Sequence, residues 1–193
     1  ITATLAIAGI FPLAGFFSKD EILWGAWSSG NKIVWGVLAL SAGLTAFYMF
    51  RLTFLVFYGS YRGEHHTFDH AHESPKAMTV PLMILAALSV VGGWIGIPAV
   101  IGKTLLGGDV NVFHHWLAPA VASAHGAGEA AEHGASLEFA LMGLALAIAL
   151  AGIGVAFVIY RLRFGMAASS AQRFRPIYVM WRNLYWVDEF YEA

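Results

Sequence analysis

Lys19, Asp20 and Glu21 stand together at the end of an apolar run, Ile1-Thr-Ala-Thr-Leu-Ala-Ile-Ala-Gly-Ile-Phe-Pro-Leu-Ala-Gly-Phe-Phe-Ser18. An ionisable side chain within a membrane costs about 2.5–3.5 kcal/mol even on the lenient insertion scale, so its presence there points to function. On a helix Lys19 and Asp20 point about 100° apart and Lys19 and Glu21 about 200° apart, so the three charges do not all pair within one turn. One of them faces another helix or water. A lysine held between desolvation and a nearby carboxylate can take up and release a proton as its surroundings change, where a permanently charged Arg cannot. This makes Lys19 the candidate proton carrier; spacing alone does not say which of the two acids serves it, and Glu21 has no assigned role. The competing account is an interfacial lysine that lays its stem along apolar surface, with two solvated acids beside it.

A second polar set lies further on. Ser41, Thr45 and Tyr48 fall at i, i+4 and i+7 on one helical face, with Arg51 beside them, a stripe suited to water or to a partner helix. With Ser18 they form a candidate supporting path for protons. The alternative is that the hydroxyls bond their own helix carbonyls while Arg51 reaches toward the interface.

Other chemistry has little foothold. The histidines of Glu64-His-His-Thr-Phe-Asp-His-Ala-His-Glu73 offer metal-ligand types, but their spacing matches no closed zinc pattern, and they read as a solvated, proton-buffering loop. Metal binding by His65, His66, His70 and His72 is the weaker option. No Ser/His/Asp arrangement stands in a helix-turn context for hydrolysis, and no Gly-rich loop follows a strand to cradle phosphate. The absence of cysteine excludes disulfides, thiolate metal sites and iron–sulfur ligation. A net charge of −1 with no basic patch argues against nucleic acid.

The elements that must position these residues are membrane helices. The 193 residues are 59% hydrophobic and 12% charged, with mean hydropathy +0.66, against about 25% charged residues in soluble domains. Four segments, about 1–27, 33–58, 77–98 and 137–160, are each long enough to cross about 30 Å of hydrocarbon as a helix. An all-α, polytopic bundle follows. Gly9, Pro12 and Gly15 fall within the first span, and Pro12 removes a donor and crowds the preceding turn, so that span is expected to be interrupted. Broken spans expose helix ends at membrane depth and mark binding sites in transporters. Gly92 with Gly96, and Gly143 with Ala147 and Ala151, have the small-residue spacing of close helix pairs.

Lys and Arg accumulate on the cytoplasmic side of membrane proteins. Loops 28–32 and 99–136 hold only Lys32 and Lys103, whereas the opposite face holds Arg62, Lys76, Arg161, Arg163, Arg173, Arg175 and Arg182. Loop 59–76 and the segment 161–193 are therefore expected in the cytoplasm, with the first span leaving near Trp24 and Trp27. Loop 99–136 carries His114, His115, His125 and His133, and its Val112–Leu117 piece is amphipathic enough for the membrane surface. The aromatic, charged stretch Tyr178–Tyr191 is too polar to cross and is expected to lie along the membrane or against protein. The chain begins with Ile1 inside an apolar segment and has no signal-peptide pattern, so its beginning is expected elsewhere.

Several segments together resemble one family. Gly9-Ile-Phe-Pro-Leu-Ala-Gly-Phe-Phe-Ser-Lys-Asp-Glu-Ile-Leu23, Phe47-Tyr-Met-Phe-Arg-Leu-Thr-Phe54, His72-Glu-Ser-Pro-Lys-Ala-Met-Thr-Val-Pro-Leu82 and Val187-Asp-Glu-Phe-Tyr191 resemble the antiporter-like L subunit of bacterial proton-pumping NADH:quinone oxidoreductase, respiratory complex I. The resemblance covers essentially the whole chain. It implies that the first span is the second of that family's two broken helices, serving the channel half open to the periplasm, with Lys19 as the terminal protonatable lysine and Asp20 as the acid beside it. It also implies a bacterial inner-membrane location and a neighbouring antiporter-like subunit among other membrane-arm partners. No cofactor is expected in this chain; NADH, flavin, iron–sulfur clusters and quinone belong to other subunits of such a complex. Asp188 and Glu189, near the approach to the family's lateral helix, are candidates for subunit docking. Two rivals remain open: the large subunit of a multi-subunit cation/proton antiporter, and a structural brace without pumping residues.

Overall fold

A computed structural model describes residues 1–61, 63, 66, 68, 70, 72–108, 110–121, 135–163 and 165–192. Among the described residues there is no strand. Among the described residues three helices are long and apolar enough to cross a membrane: Lys32–Phe57, Lys76–Gly96 and Ala135–Leu162. A fourth, broken element is wrapped by them. It consists of α1 (Thr2–Ala8) and α2 (Ala14–Ser28), followed by α3 (Lys32–Phe57) and α4 (Lys76–Val91). The backbone of α4 tightens into a 3₁₀ stretch over Gly92–Gly96. Next come α5 (Val112–Val121) and α6 (Ala135–Phe157), the latter running on as a π-turn through Leu162. Three short helices close the chain: α7 (Met166–Arg173), α8 (Arg175–Arg182) and α9 (Val187–Glu192).

The break between α1 and α2 follows from local sequence. Gly9 adopts φ +80°, a left-handed cap that Cβ-bearing residues resist. Its N–H bonds Ala6 O and that of Ile10 bonds Leu5 O, the paired bonds of a Schellman ending. Pro12 then supplies no donor and favours an extended Phe11, and helical geometry resumes only after Leu13. The Phe11–Pro12 peptide is cis. The halves cross closely, since a Cβ on Gly15 would collide with the Ala6 carbonyl.

α1 packs against α3 and α4, whereas α2 contacts α3, α4 and α6. The largest helix pair is α3 with α6, and the two run parallel: Ala46 and Ala149 share one buried cluster, and further along Phe54 meets Phe157. Small residues set this seam. A Cβ on Gly152 would strike the Gly43 carbonyl, and Gly43 itself lies against Ile148. The expected stripe Gly143, Ala147 and Ala151 is instead exposed, and the buried face of α6 runs through Met142, Ala149 and Ala156. In the 3₁₀ stretch after α4, a Cβ on Gly93 would strike Ala14 and Phe17, one on Gly96 would lie 3.6 Å from Phe113 Cβ, and one on Gly92 would meet nothing within 4 Å. In helices apolar on every side, small residues on several faces satisfy the spacing rule, and only the neighbour's position selects one. Large apolar side chains of α3, α4 and α6 that point outward, such as Leu40, Leu44, Leu85 and Leu150, suit lipid or neighbouring protein.

Candidate functional site

The broken span places Lys19 against the end of its own first half. A helix leaves its last carbonyls without intrahelical donors, and the negative end of its dipole favours a cation. Lys19 Nζ donates to Ile7 O in the last turn of α1. The lysine stem crosses Gly9 so closely that a Cβ there would lie 3.2 Å from Lys19 Cδ. Gly9 therefore serves twice, as the left-handed cap and as the gap the stem passes through.

Lys19 is half-buried and faces a small cavity of about 20 Å³ shared with Phe16, Asp20, Ala42, Leu146 and Ala149, room for one water. Asp20 is buried, 6% exposed, and its Oδ2 has no hydrogen-bond partner. A buried carboxylate oxygen without a donor is costly, so its retention calls for a functional explanation.

Asp20 also borders a second, larger cavity of about 180 Å³, toward the Lys32 end of the bundle, where Glu21, Trp24, Asn111, His114 and Glu138 line the wall. Asn111 Nδ2 donates to Glu21 Oε1 at 3.2 Å, and Asn111 Oδ1 accepts from His114 N–H at 2.9 Å. Asn111 thus caps the start of α5 while tying it to α2. Glu21, unassigned from sequence, gains a partner 90 positions along the chain. Glu138 and Glu21 both act electrostatically on Asp20, and Lys103 acts on Glu138.

The structure brings Lys19 and Asp20 to one cavity, but it places the supporting set elsewhere. Ser18 is exposed, its Oγ donating to Ala14 O at 3.3 Å. Ser41 and Tyr48 are exposed, and Thr45 Oγ1 donates to Ser41 O at 2.7 Å. This is the back-bonding that hydroxyls in apolar helices adopt. Of α3, Ala42 lines the Lys19 cavity. Arg51 stands 5.5 Å from the Tyr160 ring at the other end of the bundle. There it lines a groove of about 610 Å³ with Phe174, Tyr178 and Trp181. Asp188 and Glu189 lie exposed in α9.

His65, His125 and His133 lie outside the described residues; the His66 and His70 rings lie tilted against each other, with centroids 4.5 Å apart. Among the described residues no group of three or more His, Cys, Asp or Glu is placed to hold a metal ion.

Comparison with known proteins decides the family. The family described as the C-terminal transmembrane part of the complex I NADH dehydrogenase matches residues 49–189. The chain belongs to this family. It is 39% identical to NAD(P)H-quinone oxidoreductase chain 5 of Picosynechococcus sp. over 211 aligned residues, which cover 99% of this chain and 30% of that protein. That alignment takes in the broken span, which precedes the family match. It is 47% identical to NADH-quinone oxidoreductase subunit L of Rhodobacter capsulatus over 103 residues, 48% of this chain and 14% of the relative. Subunit L of Mycobacterium tuberculosis is 38% identical over 161 residues, 82% of this chain and 23% of the relative. The chain thus spans about a third or less of the length of these relatives. The match falls on the C-terminal transmembrane part of such complex I subunits, and the described residues form an all-α bundle with three helices able to cross a membrane.

Proposed function

We propose that this chain supplies the exit-side half of a proton channel in the membrane arm of an NADH:quinone oxidoreductase of the bacterial inner membrane. Lys19 is the proton carrier and Asp20 the acid that receives or tunes its proton. The observation that carries this reading is the placement of Lys19: its Nζ donates to a carbonyl at a broken helix end, and it shares a small buried cavity with an acid whose Oδ2 has no partner. A lysine seated this way holds its ammonium on a helix-end carbonyl, beside an acid that can take its proton. It can release the proton when a neighbouring charge shifts and reload it from the other side.

In this reading NADH, flavin, iron–sulfur clusters and quinone are bound by other subunits, and their redox energy reaches Lys19 through electrostatic or conformational coupling. Residues 1–160 form the bundle and 161–193 a segment on the cytoplasmic side leading toward a lateral helix. Asp188 and Glu189 dock a neighbouring antiporter-like subunit, for which their exposure on α9 leaves them available. Ser41, Thr45, Tyr48 and Arg51 take a lesser part, because none of them lines the Lys19 cavity. The relatives named above are quinone oxidoreductase subunits, which favours this reading over a multi-subunit cation/proton antiporter.

Lys19→Ala in the assembled complex tests the proposal. NADH-driven proton translocation is expected to fall by at least about tenfold, while the complex still assembles. Wild-type protons per electron in that variant would remove Lys19 from the path.

A further inference from the structure

Asp20 borders both cavities, the small one at Lys19 and the larger one containing Glu138. Its unpartnered Oδ2 belongs to a side chain more than nine-tenths buried. The larger cavity is lined by polar groups from three separate parts of the chain: Glu21 on α2, Asn111 and His114 at the start of α5, and Glu138 in the first turn of α6. At about 180 Å³ it holds several waters, each occupying about 30 Å³. Asn111, His114 and Glu138 all lie far from Lys19 in sequence.

We propose that this cavity is the outer vestibule of the proton path and that Glu138 is the relay which takes the proton after Asp20. The inference rests on the channel reading above and extends it past Asp20. In the first step an N–H bond of the Lys19 ammonium breaks and an O–H bond forms on the Asp20 carboxylate, leaving a neutral amine and a carboxylic acid. Water in the small cavity bridges the two groups. In the second step the Asp20 O–H breaks and its proton passes through vestibule water to the Glu138 carboxylate, which restores Asp20 to its charged form. Glu138 then releases the proton to solvent water beyond. Lys103 acts electrostatically on Glu138, while His114, with the His115 ring edge-on at 6.0 Å, borders the same cavity. Asn111 is a positioning residue: its two hydrogen bonds hold Glu21 and the α5 start in place as one wall of the vestibule.

The experiment uses the whole complex, with NADH-driven proton translocation measured alongside NADH oxidation by an artificial acceptor. Glu138→Gln keeps size and removes the acid. Translocation is expected to fall about tenfold with acceptor activity retained, and Glu138→Asp restores most of it. A structural role for Glu138 would not separate Gln from Asp in this way. Wild-type translocation in Glu138→Gln, alongside its loss in Lys19→Ala, would overturn the vestibule and leave the channel reading standing. Full translocation in Lys19→Ala would instead overturn the channel reading itself. A second measurement does not depend on turnover. Because the chain has no cysteine, Glu138→Cys can be labelled uniquely within it. A charged, membrane-impermeant thiol reagent added from the Lys32 side is expected to modify Glu138→Cys faster than Leu146→Cys, whose parent residue lines the inner cavity. Equal or slower modification at position 138 would overturn the proposal.

Discussion

Lys19 and Arg51 are two of the basic side chains on the bundle's helices, and they are held in opposite ways. Lys19 projects from a broken helix, half-buried, with its ammonium on a carbonyl that the break exposed. Arg51 projects from the unbroken α3, exposed, with its guanidinium 5.5 Å from the centre of the Tyr160 ring. An aromatic face stabilises any cation and asks nothing of its proton. A helix-end carbonyl beside a buried acid is a different seat, because the ammonium there can lose its proton to a neighbour. On the proposed reading the contrast separates a charge kept for packing and orientation from one kept for transfer, with the second role placed at the discontinuity in the backbone.

The sharpest way to break this contrast is to make the transferring charge permanent. Lys19→Arg preserves a cation and its hydrogen-bonding capacity, but the guanidinium does not deprotonate in a protein. If Lys19 only anchors the helix end, the variant works. If it carries protons, translocation in the assembled complex is lost to about the same extent as in Lys19→Ala. Proton flux into vesicles measured side by side for the two variants separates these outcomes.

The next effect in size comes through the backbone. Gly9→Ala meets two obstacles at once, a left-handed φ of +80° and a Cβ placed 3.2 Å from Lys19 Cδ. The first costs about 1–2 kcal/mol, and the second displaces the lysine stem. Assembly is expected to survive at reduced yield, with translocation per NADH oxidised falling several-fold. Gly92→Ala is the control, since a Cβ there meets nothing within 4 Å. Equal behaviour of the two variants would detach the lysine from the geometry of the break.

Much of this arrangement was legible beforehand, for physical reasons that differ between its parts. Helix lengths follow from hydropathy, because a span has no other way to satisfy its backbone in hydrocarbon. The interruption follows from Gly9 and Pro12, whose constraints are local. Which face of α6 packs was not legible: Gly143, Ala147 and Ala151 satisfy the spacing rule as well as the face that α3 in fact meets. The Ser41–Tyr48 stripe was legible as a stripe but not as a location, and the fold turns it away from Lys19. Asn111 and Glu138 left no signal as site residues. Glu138 reads as an ordinary acid in a helix's first turn, and Asn111 as an ordinary cap, until the fold brings both to the cavity beside Asp20.

The smallest effect lies on the Arg51 side and completes the comparison. Its seat on Tyr160 is exposed, where a cation over an aromatic ring contributes about 0.5–1 kcal/mol. Arg51→Lys keeps the charge and loses only planar stacking, and Arg51→Gln loses the charge as well. Both are expected to assemble and to translocate protons within about twofold of wild type, with Arg51→Gln lowering thermal stability by an amount of that order. The measurement is a melting curve of the purified complex together with its proton-to-electron ratio. A loss of pumping in Arg51→Gln restored by Arg51→Lys would place a required positive charge at the Tyr160 end, and the separation drawn between the two cations would fail there. Retained pumping in both variants, beside its loss in Lys19→Arg, would establish that it is the removable proton at the helix break, and not positive charge among the helices, on which transport depends.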